Sequence, residues 1–190
     1  MTAASLTPRA YADAAASVPS GVQPGPYVAE PGGADSVGTV TVFVIGMRVN
    51  RLRAVRTWWP LFTAMPRMLS ELTAEPDSGL LGARGYFSGR VLMVLQYWRS
   101  VDDLGAYARD PARLHQPAWM RFNRAAAGSG DVGIFHETYE VDAASIETMY
   151  ANMPPFGLGL ATSTAPRGTR RASRTAHRVR GSGADASADR

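Results

Sequence analysis

Two histidines and the residues around them set the chemistry open to this chain. His136 sits beside Glu137 in a β-branched and aromatic run, VGIFHETYEV over 132–141. Side chains alternate along a strand, so the two point to opposite faces. Ile134, His136, Thr138 and Glu140 share one face, and Phe135, Glu137, Tyr139 and Val141 the other. Whichever of His136 and Glu137 is buried needs a partner, because an unpaired polar group in an apolar sheet is costly. His115 stands four residues before Trp119 and eight before Asn123, which puts an imidazole, an indole and an amide near one helical stripe. Such a stripe can line a pocket for a planar ligand. It is equally the pattern of a helix that packs Trp119 and Phe122 into a core, with His115 as its cap. Tyr97 and Trp98 end a central strand, and one of them points inward in either register.

Other chemistries find no support. There is no phosphate-cradling Walker loop, no G-x-G-x-x-G after a strand and no G-x-S-x-G elbow. With no cysteine there is no disulfide framework, thiolate zinc site or cysteine nucleophile. His115 and His136 lack carboxylates at ligand spacing, so no metal is expected. The methionines read as adaptable core packing.

The elements that must position these residues follow from periodicity. TVTVFVIGMRV (39–49) is apolar on both faces over its centre and reads as a strand with neither face wet. Residues 54–73 carry apolar side chains at steps of three and four, a helix that Pro60 and Pro66 are expected to kink or split. Residues 78–87 and 90–98 form a hairpin about Ser88-Gly89. Ser100 followed by Asp102 and Asp103 starts a helix over 101–109. Asp110-Pro111 interrupts it, and 115–126 resumes with Pro117 near the first turn. After the last strand, 145–151 is a short helix candidate and 153–160 an apolar strap. The order is β-α-β-β-α-β plus an extension, an α+β, ferredoxin-like domain over 37–160.

The flanks differ in composition. Residues 1–36 mix Ala, Ser, Pro and Gly without apolar periodicity and are expected to be a disordered arm. Residues 161–190 are expected to be a disordered Arg-rich tail, with seven arginines and two aspartates from Ala165 onward. The chain's formal charge is +4, yet thirteen basic and fourteen acidic residues remain once that stretch is set aside. The high basicity therefore belongs to an appendage, and specific nucleic-acid binding is not expected of the domain. No apolar run approaches the roughly 18 residues needed to span a bilayer, so membrane insertion is not expected and a cytoplasmic location is.

A sheet with helices on one face needs only that face apolar, yet the strands over 39–49 and 90–98 are apolar on both. The second face needs a cover, and the same face of another copy supplies one by an isologous contact. The termini are the alternative cover.

VFVIGMRVN (42–50), W-x-P-x-x-x-A-M-P-R-M-L (58–69), SGLLGAR (78–84), QYWRS-x-x-D-L-x-x-Y-A-R-D-P (96–111), H-x-P-A-W-x-x-F-N (115–123), SGDVGI-x-HETY (129–139) and Y-x-N-M-P-P-F-G-L (150–158) together resemble a bacterial and fungal family. That family is grouped with the monooxygenase of the fumagillin pathway and, more loosely, with the antibiotic-biosynthesis monooxygenases. The resemblance covers about 40–160 and implies a dimeric α+β barrel. It also implies oxygenation without metal or flavin: an acidic phenol or enol loses a proton and itself reduces oxygen. Such a site needs an apolar cavity, a proton acceptor and donors that hold the enolate and peroxide. His115 or His136 would be the base. Asn123, Tyr97, Trp98, Trp119, Arg121, Phe122, Glu137 and Tyr139 would position a small apolar or aromatic molecule. Neighbouring barrels bind haem through one histidine, so haem on His115 or His136 is the minority alternative. A non-catalytic dimeric binding module is the other.

Overall fold

The computed structural model describes residues 18–31, 38–125 and 127–167. In chain order the strands and helices are β1 (Gln23–Glu30), β2 (Thr39–Val49), α1 (Val55–Thr73), β3 (Leu80–Ser88), β4 (Val91–Trp98), α2 (Val101–Arg109), α3 (His115–Ala125), β5 (Val132–Asp142), β6 (Tyr150–Met153), α4 (Leu158–Ala161) and β7 (Ser163–Pro166). They fall into two compact units, Thr39–Val141 and the described residues of the flanking segments, 18–31 and 38 with 142–167.

The unit Thr39–Val141 is the ferredoxin-like domain. Its four strands lie in the order β3-β4-β2-β5. β4 is antiparallel to both β2 and β3, so β2 and β3 run the same way with β4 between them, joined through α1 as a split β-α-β crossover. Register assigns the faces. Phe43, Ile45 and Met47 pair with Gln96, Val94 and Leu92, while Val42 and Val44 pair with Tyr97 and Leu95. The first set faces the helices and the second set the opposite side. Met47, Leu61 and Val132 form a core against which Trp58, Phe62, Leu92, Phe122 and Ile134 pack.

Helix α1 differs from expectation. It runs unbroken through Pro60 and Pro66 and buries Leu61, Met68 and Leu72. Burial of that apolar stripe offsets the backbone hydrogen bonds the prolines remove. The hairpin, the helix from Val101 to Arg109 and the start of α3 at His115 stand where periodicity puts them.

The flanking unit holds a second antiparallel sheet in the order β6-β1-β7. Residues 23–30 of the expected arm and 163–166 of the expected tail are therefore strands; residues 1–17, 32–37 and 168–190 of those segments lie outside the described residues. Tyr27 explains the order: it is 1 % exposed, stacks on Tyr150 at 5.0 Å, and donates its hydroxyl hydrogen toward the carbonyls of Met153 and Pro154 at 3.1 and 2.9 Å. The expected helix over 145–151 is instead a 3-10 turn at Ala143–Ser145 leading into β6, because pairing with β1 satisfies the backbone there. The strap over 153–160 ends in the short helix α4. Among the described residues no helix is long and apolar enough to cross a membrane.

Candidate functional site

Between the helices and the sheet of Thr39–Val141 lies a cavity of about 560 Å³, within the usual size for a small-molecule site. Its floor is the helix-facing side of the sheet: Phe43 and Ile45 from β2, Val94 from β4, and Ile134, His136 and Thr138 from β5. Met65 and Met68 of α1 wall one side, and Leu104, Arg109, His115, Trp119 and Phe122 of α2 and α3 the other. The lining is mostly apolar, and His136, Thr138, Arg109 and Trp119 are solvent-exposed as well as lining, so the cavity is open to solvent.

His115 is held by the corner between α2 and α3. Ser100 caps α2 by accepting from the Asp103 amide at 3.1 Å. At the other end Asp110-Pro111 stops the helix, and an Asp110 carboxylate oxygen accepts from the Ala112 amide at 2.9 Å. The corner is tied to the end of α1: Glu71 Oε2 accepts from the Tyr107 hydroxyl at 2.9 Å and from the Leu114 amide at 3.3 Å. Arg113 pairs with Glu75 and with Asp110. Its hydrogen bond holds the Glu75 carboxyl below the usual carboxylate range. Burial, reinforced by the bond to Glu71, pushes the Tyr107 phenol well above its ordinary value.

Against this frame His115 Nδ1 lies 3.0 Å from the carbonyl oxygen of Ala108. A carbonyl only accepts, so Nδ1 carries a hydrogen, and in the neutral ring the lone pair is then on Nε2. Gln116 donates to the same carbonyl at 3.1 Å. The His136 ring lies 5.8 Å from that of Phe43 and makes no hydrogen bond among the described residues.

Of the residues singled out in the sequence, His115, His136, Trp119 and Phe122 line the one cavity. Asn123 does not, since eight residues on an α-helix carry a side chain about 80° around the axis whereas the seven to Phe122 nearly close two turns. Arg121 lines a separate pocket of about 130 Å³ with Pro60 and Arg67. Trp98 is fully buried and donates Nε1–H to Gln96 Oε1 at 2.8 Å. Tyr97, Glu137 and Tyr139 sit on the opposite sheet face, where the Tyr139 hydroxyl donates to Glu137 at 2.7 Å.

Arg109 is the residue the sequence did not flag. It lines the cavity, forms no ion pair among the described residues, and folds its guanidinium back over Gly105, where a Cβ would stand 2.8 Å from Nη1. The i, i+4 spacing of Gly105 and Arg109 was the available signal.

Comparison with known proteins gives four likenesses of different kinds. Residues 40–158 match the family model described as Monooxygenase af470-like. The chain is 30% identical over 132 residues to the monooxygenase af470 of Aspergillus fumigatus, covering 64% of this chain and 46% of that protein, so it spans less than half the relative's length. A solved aldoxime dehydratase in complex with butyraldoxime superposes with a TM-score of 0.58 at 18% identity, over 73% of this chain and 40% of that one, a likeness of fold. The cofactor-independent oxygenase SnoaB of Streptomyces nogalater superposes with a TM-score of 0.39 at 13% identity, over 54% of this chain and 92% of that one.

Proposed function

The chain belongs to the monooxygenase af470-like family, and from that premise we propose that its cavity oxygenates a small apolar or aromatic metabolite without a resident cofactor. The substrate class is a carbon acid of the anthrone type or an acidic phenol of the quinol type, whose anion is electron-rich enough to reduce oxygen. The observation that carries the reading is the bond between His115 Nδ1 and the Ala108 carbonyl, which in the neutral ring leaves Nε2 free to accept a proton in a mostly apolar cavity.

For an anthrone-type methylene, His115 Nε2 takes one proton and Arg109 holds the resulting enolate oxygen. The enolate passes one electron to dioxygen, and the carbon radical and superoxide combine into a carbon–oxygen bond. The imidazolium returns its proton to the peroxide. The O–O bond then breaks as the second C–H proton leaves, giving ketone and water: R2CH2 + O2 → R2CO + H2O. His136, on the cavity floor, is the proposed acceptor of that second proton.

Oxygen uptake with anthrones and quinols tests this, comparing wild type with His115→Ala and His136→Ala. The reading expects a rate loss of about 10²–10⁴ for His115→Ala, the usual worth of a general base. Equal rates in all three proteins remove the histidines from the chemistry. A Soret band in protein purified from its own cells would replace this reading with haem chemistry on a histidine, for which Nε2 of His115 is the available ligand atom. A ligand recovered unchanged under oxygen would favour a binding module.

The same reading includes a homodimer. Val42, Val44, Leu95 and Tyr97 line the sheet face away from the helices, with Phe135 and Tyr139 at 37 % and 50 % exposure. An isologous contact across this face buries them, and light scattering at micromolar concentration reads the mass directly.

A further inference from the structure

Beside the main cavity is a second, much smaller chamber of about 50 Å³. The two share walls, with Phe43, Met65, Leu104 and His115 lining both. Leu69 and Leu72 of α1 line only the chamber, as do Gln96, Trp98 and Tyr107. We infer that this chamber is a dioxygen subsite that stores the gas next to the face of His115, an inference that rests on the monooxygenase reading.

Three features select that occupant. Size comes first: an apolar cavity of about 150 Å³ holds benzene or xenon, and a void of about 50 Å³ is a third of that, room for a diatomic molecule rather than an aromatic substrate. Polarity comes second. Most of the wall is apolar, and three of its polar atoms are already engaged: Trp98 Nε1 with Gln96 Oε1 at 2.8 Å, the Tyr107 hydroxyl with Glu71 at 2.9 Å and His115 Nδ1 with Ala108 at 3.0 Å, which leaves Gln96 Nε2 and His115 Nε2 as the polar atoms without a protein partner among the described residues. A buried water ordinarily makes about three hydrogen bonds; this wall offers it few, whereas an apolar gas needs none. Place comes third, because His115 is common to both walls, so oxygen held here lies beside the group that generates the reducing anion.

Crystals of the full chain pressurised with xenon, an apolar probe of gas sites, test the chamber without any turnover. Wild type should show xenon bounded by Leu69, Leu72 and Trp98, and Leu69→Phe, which fills the chamber from α1, should show none there. In parallel, the oxygen concentration for half-maximal uptake should rise several-fold in Leu69→Phe, with KM for the organic substrate unchanged and the melting temperature confirming the fold. No xenon in the wild-type chamber overturns the proposal. Loss of xenon in Leu69→Phe with an unchanged oxygen dependence also overturns it. Xenon bound in wild type, with no oxygen uptake on any carbon acid, instead overturns the proposed function and with it the assignment of oxygen as occupant.

Discussion

His115 is pinned through Nδ1 to the carbonyl oxygen of Ala108, 3.0 Å away across the corner between α2 and α3. The bond fixes the tautomer and holds the ring in the cavity wall, so the placement of the imidazole depends on a corner built from Asp110 and Pro111 and tied to Glu71 of α1 and to Glu75 just beyond it. Its consequences reach activity, pH dependence and stability.

Arg109→Met should raise KM for an enol or phenol substrate by about tenfold or more, since a charge-assisted bond to an oxyanion is worth roughly twice a neutral one. Gly105→Ala should reproduce part of the effect, because a Cβ there would meet the Arg109 guanidinium at 2.8 Å. Steady-state kinetics on both variants is the check, and the neutral KM of an anion-free analogue is the control.

The Arg113 clamp makes a signed prediction about acid. The Glu75 carboxyl is held below its ordinary value of 4.5 by the hydrogen bond from Arg113, so the native state favours its ionised form. That contribution is complete above the ordinary value and is lost as pH falls toward the lowered native one. Glu75→Gln should therefore lower the melting temperature at neutral pH and narrow the gap to wild type in acid. Thermal melts across that window read it.

How much of this was legible beforehand varies by element. The stripe from His115 to Trp119 was readable because four residues nearly complete a turn. Asn123 was misplaced because the drift over eight residues is easily overlooked. The faces of β5 followed from alternation, so His136 and Glu137 were correctly separated. Arg109 was hidden by its position: a cation in the last turn of a helix already has a reason to be there, as a partner of the exposed carbonyls. β1 escaped because its partners are remote, with the Gly25 amide donating to Asn152 Oδ1 and the Ala29 amide to Thr148 Oγ1, both more than a hundred residues away. Neither long-range pairing nor the small chamber under Trp98 leaves a local pattern.

Gly79 is a stability test of the hairpin entry. It adopts φ +81°, and a Cβ would stand 2.5 Å from that of Asp103. Asp103 accepts from Arg99 Nε at 2.9 Å and Nη2 at 2.8 Å. Gly79→Ala combines left-handed strain with this clash and should cost about 1–3 kcal/mol, measured by urea unfolding.

Trp98 and Gln96 form a buried pair. Trp98→Phe leaves Gln96 Oε1 without the indole donor and should cost about 1–3 kcal/mol for that unmet acceptor, before any cavity cost. Removing both polar groups, with Trp98→Phe and Gln96→Leu together, should recover part of that loss. A double-mutant cycle in urea isolates the coupling.

The most direct measurement is turnover of an anthrone under ¹⁸O2 by purified protein verified free of haem, flavin and metal. The account predicts one labelled oxygen in the ketone product, the other in water, and collapse of the rate in His115→Ala. Product without label, or label that appears equally fast in His115→Ala, would contradict it.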